Sequence, residues 1–412
     1  MRKSGLLCIL VVVFVMLHLI PAVACTSAVI SGRATPSGRP LLWKHRDTGV
    51  EWNHIEHMQG RRFAFTGLVN SADKECKEVW AGANECGFAI MNTASYNMKP
   101  DSLKYLPERE GEIMKQALGE CASVEEFEQL LKGMTLPRAL ETNFGVIDAK
   151  GGAAYFEVWD YGYTKYDVND VGQYPNGYII RSNYSFSGAK DEGKGYVRYQ
   201  NAEYLFHKAY ATSSLSAEWI FSSASRSYYN AILGEDLLKN PSLCVNGWAI
   251  DQDFIPRNSS SASVVVEGVR EGENPDATTV WSVIGYPPCG YAVASWVKAK
   301  DDIAEVIAAT DDGCSSANRL AVALKREVFP IKRGNGAHYL RMDVVARAME
   351  ALRPYEERSM RAAAEVRDRI ANEGFDIKLV REYNKLICAS VPDADRIVSF
   401  VRGRTEQDIY KQ

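Results

Sequence analysis

Apolar and polar positions begin to alternate in earnest about two dozen residues into the chain. Residues 25–31 read as a strand, residues 34–38 (Ala-Thr-Pro-Ser-Gly) as a turn, and residues 40–45 as a second strand. The pair predicts a hairpin whose far end, Arg46-Asp47, lies close to Cys25. Residues 61–66, 78–82 and 88–92 have strand character too, with Asn84-Glu85-Cys86-Gly87 turning into the last of them. The run 108–134 reads as two helices broken near Cys121, where Ser123 and Glu126 fit a capping box and Phe127, Leu130 and Leu131 share a face.

Strand patterns return at 144–148, 153–159 and 178–181. Residues 199–238 are more helical. The polar, glycine-containing stretch 257–278 reads as a long loop in which Val264-Val265-Val266 forms a buried helix or a strand edge. Residues 279–284 and 291–297 resemble a hairpin around Pro287-Pro288, and from Asp301 onward the period is helical, longest over 342–372. Strands, two helices, strands again and then helices predict an α+β fold of sheets layered with helices. No repeat or low-complexity linker divides it, so residues 25–412 are expected to form one domain.

Residues 1–24 are patterned differently. Arg2 and Lys3 precede a run from Gly5 to Ile20 that is almost wholly apolar, and Pro21 precedes the small-x-small triplet Ala22-Val23-Ala24. This predicts a signal peptide removed after Ala24, and hence an exported, periplasmic or secreted protein. The run is short for a retained membrane span. Ala22-Val23-Ala24-Cys25 is also a weak lipobox. It keeps open a lipid-anchored binding protein that uses Cys25 only for attachment, although an apolar strand directly after Cys25 is an unusual tether.

Composition narrows the function classes. The 412 residues carry 48 Lys plus Arg against 52 Asp plus Glu, a net charge of −4, with 46% hydrophobic and 24% charged residues. That is ordinary globular usage, and no basic tract is dense enough to follow a nucleic-acid backbone. The partner expected is a small molecule; a homo-oligomer is left open, and no nucleic acid or membrane span after leader removal is expected. No Walker loop, GxGxxG, HExxH or CxxC pair occurs, so no cofactor and no metal are expected. Beyond Cys25, seven further cysteines follow the leader. Their odd number leaves at least one free, and an exported location permits up to three disulfides.

Removal of the leader would make Cys25 the first residue. An α-amine has an ordinary pKa near 8, so on the same residue as a thiol it can serve as the general base without a histidine. A cysteine exposed at that point is therefore the leading candidate nucleophile. A cysteine–histidine protease assembled from distant parts of the chain is the weaker alternative.

At this point the sequence resembles a known superfamily. Cys25-Thr26-Ser27, the turn at 34–38 and Lys44-His45-Arg46-Asp47 resemble the N-terminal-nucleophile (Ntn) cysteine amidohydrolases. These include choloylglycine hydrolases, penicillin V acylases, acyl-coenzyme A:6-aminopenicillanate acyltransferase-like enzymes and N-terminal-cysteine dipeptidases. Asn84 to Ala89 with Asn92 is similar to a second block of these enzymes. Asn143 to Asp148, Ala153, Tyr155 to Glu157 and Arg181 to Phe186 are similar to a third.

The resemblance spans roughly residues 25–190 and implies a four-layer αββα sandwich. It also implies hydrolysis of a linear non-peptide amide (an N-acyl amide, conjugated bile salt or penicillin-like substrate) through a thioester, without cofactor. Cys25 matches the nucleophile, and Asp47 the aspartate that holds its amine. Asn183 matches the asparagine that donates to the oxyanion. Asn92 sits where these enzymes complete the oxyanion hole and line the pocket. The usual string ends Arg-Asn-x-Asp; here Lys44 stands for the arginine, and Arg46 falls in the variable position. Alternation along a strand puts Lys44 and Arg46 on one face and His45 and Asp47 on the other, so either cation is open as the support of the thiolate. A dipeptidase or an acyltransferase of the same superfamily remains an alternative activity.

Overall fold

A computed structural model describes residues 24–99, 108–244, 246–251, 253–331 and 338–403. Apart from Ala24, the leader lies outside the described residues.

Two large antiparallel sheets face each other. The first runs in the order β10-β1-β2-β14-β15-β16, built from Tyr178–Arg181, Ala24–Ile30, Leu41–Asp47, Ser260–Glu267, Thr279–Ile284 and Val293–Ser295. The second runs β3 to β9 in chain order: Asn53–Gln59, Ala64–Asn70, Ala81–Asn84, Ala89–Ala94, Glu141–Ile147, Ala153–Trp159 and Gly162–Asp167. Small pairs β11–β12 (Tyr229–Asn230, Glu235–Asp236) and β13–β17 (Trp248–Ile250, Tyr339–Arg341) lie apart from them.

The strands at the centre of the sandwich, β1, β2, β6 and β7, are buried along their whole length. Polar side chains bridge the two sheets: the Ser27 hydroxyl lies 2.7 Å from that of Tyr155, and Lys44 Nζ donates to Asn92 Oδ1. Gly145 marks how closely the sheets approach, since a Cβ there would strike Met91 and Val29.

Helices cover both outer faces. α1 (Glu110–Glu120) and α2 (Val124–Gly133) close the second sheet, where Phe127 packs edge-on against Phe144 and Phe156 at 5.6 and 5.2 Å. The predicted cap of α2 is present: Ser123 accepts from the Glu126 amide, while the Glu126 carboxylate reaches back one residue further, to Ala122. α3 (Tyr196–Ala211) lies over β1 and β10, with Phe206 stacked on Trp43 at 5.7 Å. α4 (Ser316–Val328), α5 (Met342–Glu373), α6 (Ile377–Ala389) and α7 (Ala394–Arg402) complete that layer. This is the α+β, four-layer sandwich expected from the sequence.

Three expectations are corrected. The predicted loop over 257–278 holds β14, a central strand whose eight residues are all buried. Its Ser260-Ser261-Ala262-Ser263 start lacks apolar alternation because two of the serines bond inward, Ser263 to the Trp43 indole and Ser260 to the site described below. β3 is a strand that the pattern does not predict, as Asn53-His54-Ile55-Glu56-His57 carries little apolar signal. The strand expected at 61–66 runs instead over Ala64–Asn70. Every cysteine among the described residues is a free thiol, and no described helix is long and apolar enough to cross a membrane.

Candidate active site

The head of β1 lies between β10 and β2. Across the ladder Ala24 faces Asp47, Cys25 faces Arg46 and Ser27 faces Lys44. Directly opposed residues share a face, so Cys25, Lys44 and Arg46 project between the sheets, while His45 and Asp47 project toward the helical layer. The alternation read from the sequence holds. Lys44, His45, Arg46 and Asp47 are four successive ionisable residues, all at most 2% exposed. Burial of that much charge is expensive unless each group is partnered, and the partners define the site.

Arg46 is held on three sides. Its guanidinium donates to Asn53 Oδ1 and, at 2.8 Å, to Asn70 Oδ1, and lies 4.7 Å over the Trp80 ring. Lys44 Nζ sits over the same ring at 5.5 Å and donates to Asn92 Oδ1, its one hydrogen-bond acceptor among the described residues. Burial lowers the Lys44 ammonium to about 8, against an opposing pull from Cys25. Burial also takes Arg46 down to about 10, with Cys25 again opposing. Arg46 is thus fixed by neutral amides, whereas Lys44 keeps donors uncommitted among the described residues on the Cys25 face.

Two further groups grip the backbone of Cys25. Its nitrogen donates to Asn183 Oδ1 at 2.9 Å. Arg198, from the first turn of α3, donates to the Cys25 carbonyl at 2.6 Å, to Thr26 Oγ1 at 2.9 Å and to Asn183 Oδ1 at 2.6 Å. Its reach depends on Gly195, the residue before α3: φ there is +84°, and a Cβ would collide with the Arg198 guanidinium. Asn183 is thus committed through Oδ1 to the Cys25 nitrogen and to Arg198, while its Nδ2 donates one hydrogen to the Ala94 carbonyl at 2.8 Å. Asn92 is likewise committed, to Lys44 through Oδ1 and to Thr142 through Nδ2.

On the other face Asp47 accepts from Arg257 Nε at 2.9 Å and from Ser260 Oγ at 2.6 Å. Ser260 also lies 2.9 Å from His45 Nε2. Burial pushes His45 down to about 4, so the ring is neutral.

The structure gathers Cys25, Asn183, Lys44, Arg46 and Asn92 of the residues proposed from the sequence around the head of β1, while Asp47 lies on the other face, in register with Ala24. Sequence reading missed Arg257, Ser260, Trp80, Asn53 and Asn70. Arg198, which touches Cys25 directly, is not among the site residues proposed from the sequence. A glycine three residues before an arginine at the edge of the helical pattern was the available signal for Arg198; the others come from distant segments and carried none. The groups present can stabilise a thiolate at Cys25 and hold its nitrogen.

No protein-family model matches the chain, and no curated protein matches it. Solved structures similar to it include a Caenorhabditis elegans N-acylethanolamine-hydrolyzing acid amidase ortholog, 12% identical over 58% of this chain and 92% of that one, with a TM-score of 0.36. They also include a mutant of conjugated bile acid hydrolase from Clostridium perfringens, 11% identical over 68% and 93% with a TM-score of 0.39. A third is penicillin V acylase from Agrobacterium tumefaciens, 12% identical over 66% and 86% with a TM-score of 0.36. Within this chain itself, two facing antiparallel sheets between helical layers, with Cys25 at the head of an inner strand, form the architecture that the resemblance to the Ntn cysteine amidohydrolases implies.

Proposed function

We propose that the protein is a cysteine-type Ntn amidohydrolase that cleaves a linear non-peptide amide through a thioester on Cys25. The observation that carries this reading is the convergence on Cys25: two cations on its side-chain face and two polar groups on its backbone nitrogen and carbonyl.

Loss of Ala24 turns the Cys25 nitrogen into an α-amine facing the space opposite Asp47, with Asn183 Oδ1 still accepting one of its hydrogens. The amine takes the thiol proton. Sγ attacks the substrate carbonyl carbon, the C–N bond breaks, and the leaving nitrogen receives the proton back from the ammonium. Water then hydrolyses the thioester, releasing the carboxylic acid and restoring the thiol. Lys44 supports the thiolate, because Arg46 is tied to Asn53 and Asn70. The second Nδ2 hydrogen of Asn183 is the donor available to the oxyanion. Cys25 is 1% exposed and paired within a central strand, which disfavours a lipid attachment there.

The test is intact and peptide mass spectrometry of protein exported through its own leader, before and after a thiol-directed acylating probe, followed by a screen of amides. A chain beginning at Cys25 with the probe on that residue supports the reading. Cleavage elsewhere, or lipid on Cys25, removes it. Cys25→Ser should keep the melting temperature within a few degrees and lose at least about 1000-fold in kcat/KM; undiminished turnover would sink the assignment.

A further inference from the structure

Behind Asp47 lies a hydrogen-bond chain whose direction is fixed by counting hydrogens. Ser260 Oγ has one hydrogen and makes three contacts: 2.6 Å to Asp47 Oδ1, 2.9 Å to His45 Nε2 and 3.0 Å to the Arg257 amide. The amide can only donate. A carboxylate can only accept, so the hydroxyl hydrogen points to Asp47 and Ser260 accepts from the ring. His45 therefore carries its hydrogen on Nε2. Its Nδ1 is buried with no hydrogen-bond partner among the described residues, as a neutral ring of that tautomer allows. The residues are neighbours by ladder register as well: Asp47 stands between Ala24 on β1 and Ser260 on β14, and His45 faces Ser263.

We propose that Ser260 and His45 are positioning residues for Asp47, whose directed chain, His45 Nε2–H to Ser260 Oγ–H to Asp47 Oδ1, fixes the carboxylate across the ladder from Ala24, the residue whose removal frees the Cys25 amine, and weakens its pull on that amine's proton. A bare buried carboxylate next to an α-ammonium raises the proton affinity of the amine, typically by about ten- to a thousandfold, and would leave it protonated at neutral pH. A short hydroxyl donation and the Arg257 guanidinium draw charge off Asp47, and the donors polarise one another in series. The other charged groups around it are Arg198 on α3, which opposes its negative charge, and Asp251 on the segment leading to β14, which reinforces it. His45 stands where the superfamily string has asparagine, so the chain through a ring is this protein's own arrangement. The inference rests on the amine of Cys25 acting as the base.

The test uses protein beginning at Cys25, verified by intact mass, as wild type, Ser260→Ala, His45→Leu and Ser260→Thr. Two quantities are read: the acid limb of kcat/KM, and the pH midpoint of the Cys25 amine, followed by the Cα shift in 13C-cysteine-labelled protein. Ser260→Ala and His45→Leu should move both midpoints upward by about half to one pH unit, with the high-pH plateau reduced less than about threefold. Ser260→Thr, which keeps the hydroxyl, should restore them. Unmoved midpoints, whether the plateau falls or not, overturn the relay. A wild type that hydrolyses no amide but whose amine midpoint shifts in the variants overturns the proposed function and leaves the relay standing. Should Ser260→Ala not fold, His45→Leu against Ser260→Thr decides.

Discussion

Lys44 stands where the superfamily string has arginine, and the difference has a measurable consequence. An arginine keeps its charge at any working pH, whereas burial brings the Lys44 ammonium down to about 8. On the proposed role of Lys44, thiolate support should therefore fade as pH rises through about 8, giving kcat/KM an alkaline limb. Lys44→Arg should flatten that limb above about pH 8, at some cost in the plateau because a guanidinium must fit over Trp80; an alkaline limb that persists unchanged would assign it to another group. The pairing of Lys44 with Arg46 on one face was legible in the sequence from period-2 alternation, whereas Cys25 was singled out by the predicted leader cleavage and Asp47 by the resemblance. Arg257 and Ser260 were not, since nothing local in residues 257–260 states that they will meet a residue more than two hundred positions earlier.

At the level of elements, β14 and α3 make the site from opposite sides. β14 supplies Ser260 at one end, while at the other its Glu267 binds Arg367 of α5 and the Trp281 indole. Its polar first half hid it from a hydrophobicity reading, although those serines are polar for a local reason: they satisfy Asp47 and Trp43. α3 supplies Arg198, and the single glycine before it decides whether that arginine reaches Cys25. Gly195→Ala adds a Cβ at a left-handed φ, costing about 1 kcal/mol of stability, and it also displaces the guanidinium. Activity should fall by at least about tenfold while the melting temperature drops by only a few degrees. A variant losing the same stability elsewhere should retain turnover, and equal losses in both would reduce Arg198 to a packing residue.

For the molecule as a whole, buried ionisable groups set a pH window. His45 is held near 4 by burial against an ordinary 6.5, so the unfolded chain binds a proton there that the native one refuses. That contribution is complete above about 6.5 and is lost as pH falls toward 4, on the order of 3 kcal/mol across the interval. Burial raises Asp251 to about 7 and Glu110 to about 8. The sign is opposite for these two: their contribution is complete below about 4 and is lost as pH rises through those values. Urea unfolding at a series of pH values should show the acid slope flattened in His45→Leu relative to wild type; parallel slopes would mean that the ring is not neutral in the native state. The layered architecture itself was legible in the order of strands and helices. The second sheet's first strand was not, because its pairing with β4, rather than its own composition, makes it a strand.

Arg46 owes its place to a residue far down the chain. Asn53, which holds its guanidinium, is itself fixed by Asn318 on α4: the Asn318 side chain accepts from the Asn53 amide at 2.7 Å and donates to the Glu51 carbonyl at 3.1 Å. The strand that carries Cys25 is therefore made early, yet the grip on Arg46 can close only after more than two hundred and fifty residues have followed. Wherever the chain folds, the charged neighbour of Cys25 is held in place only when the last third of the chain docks.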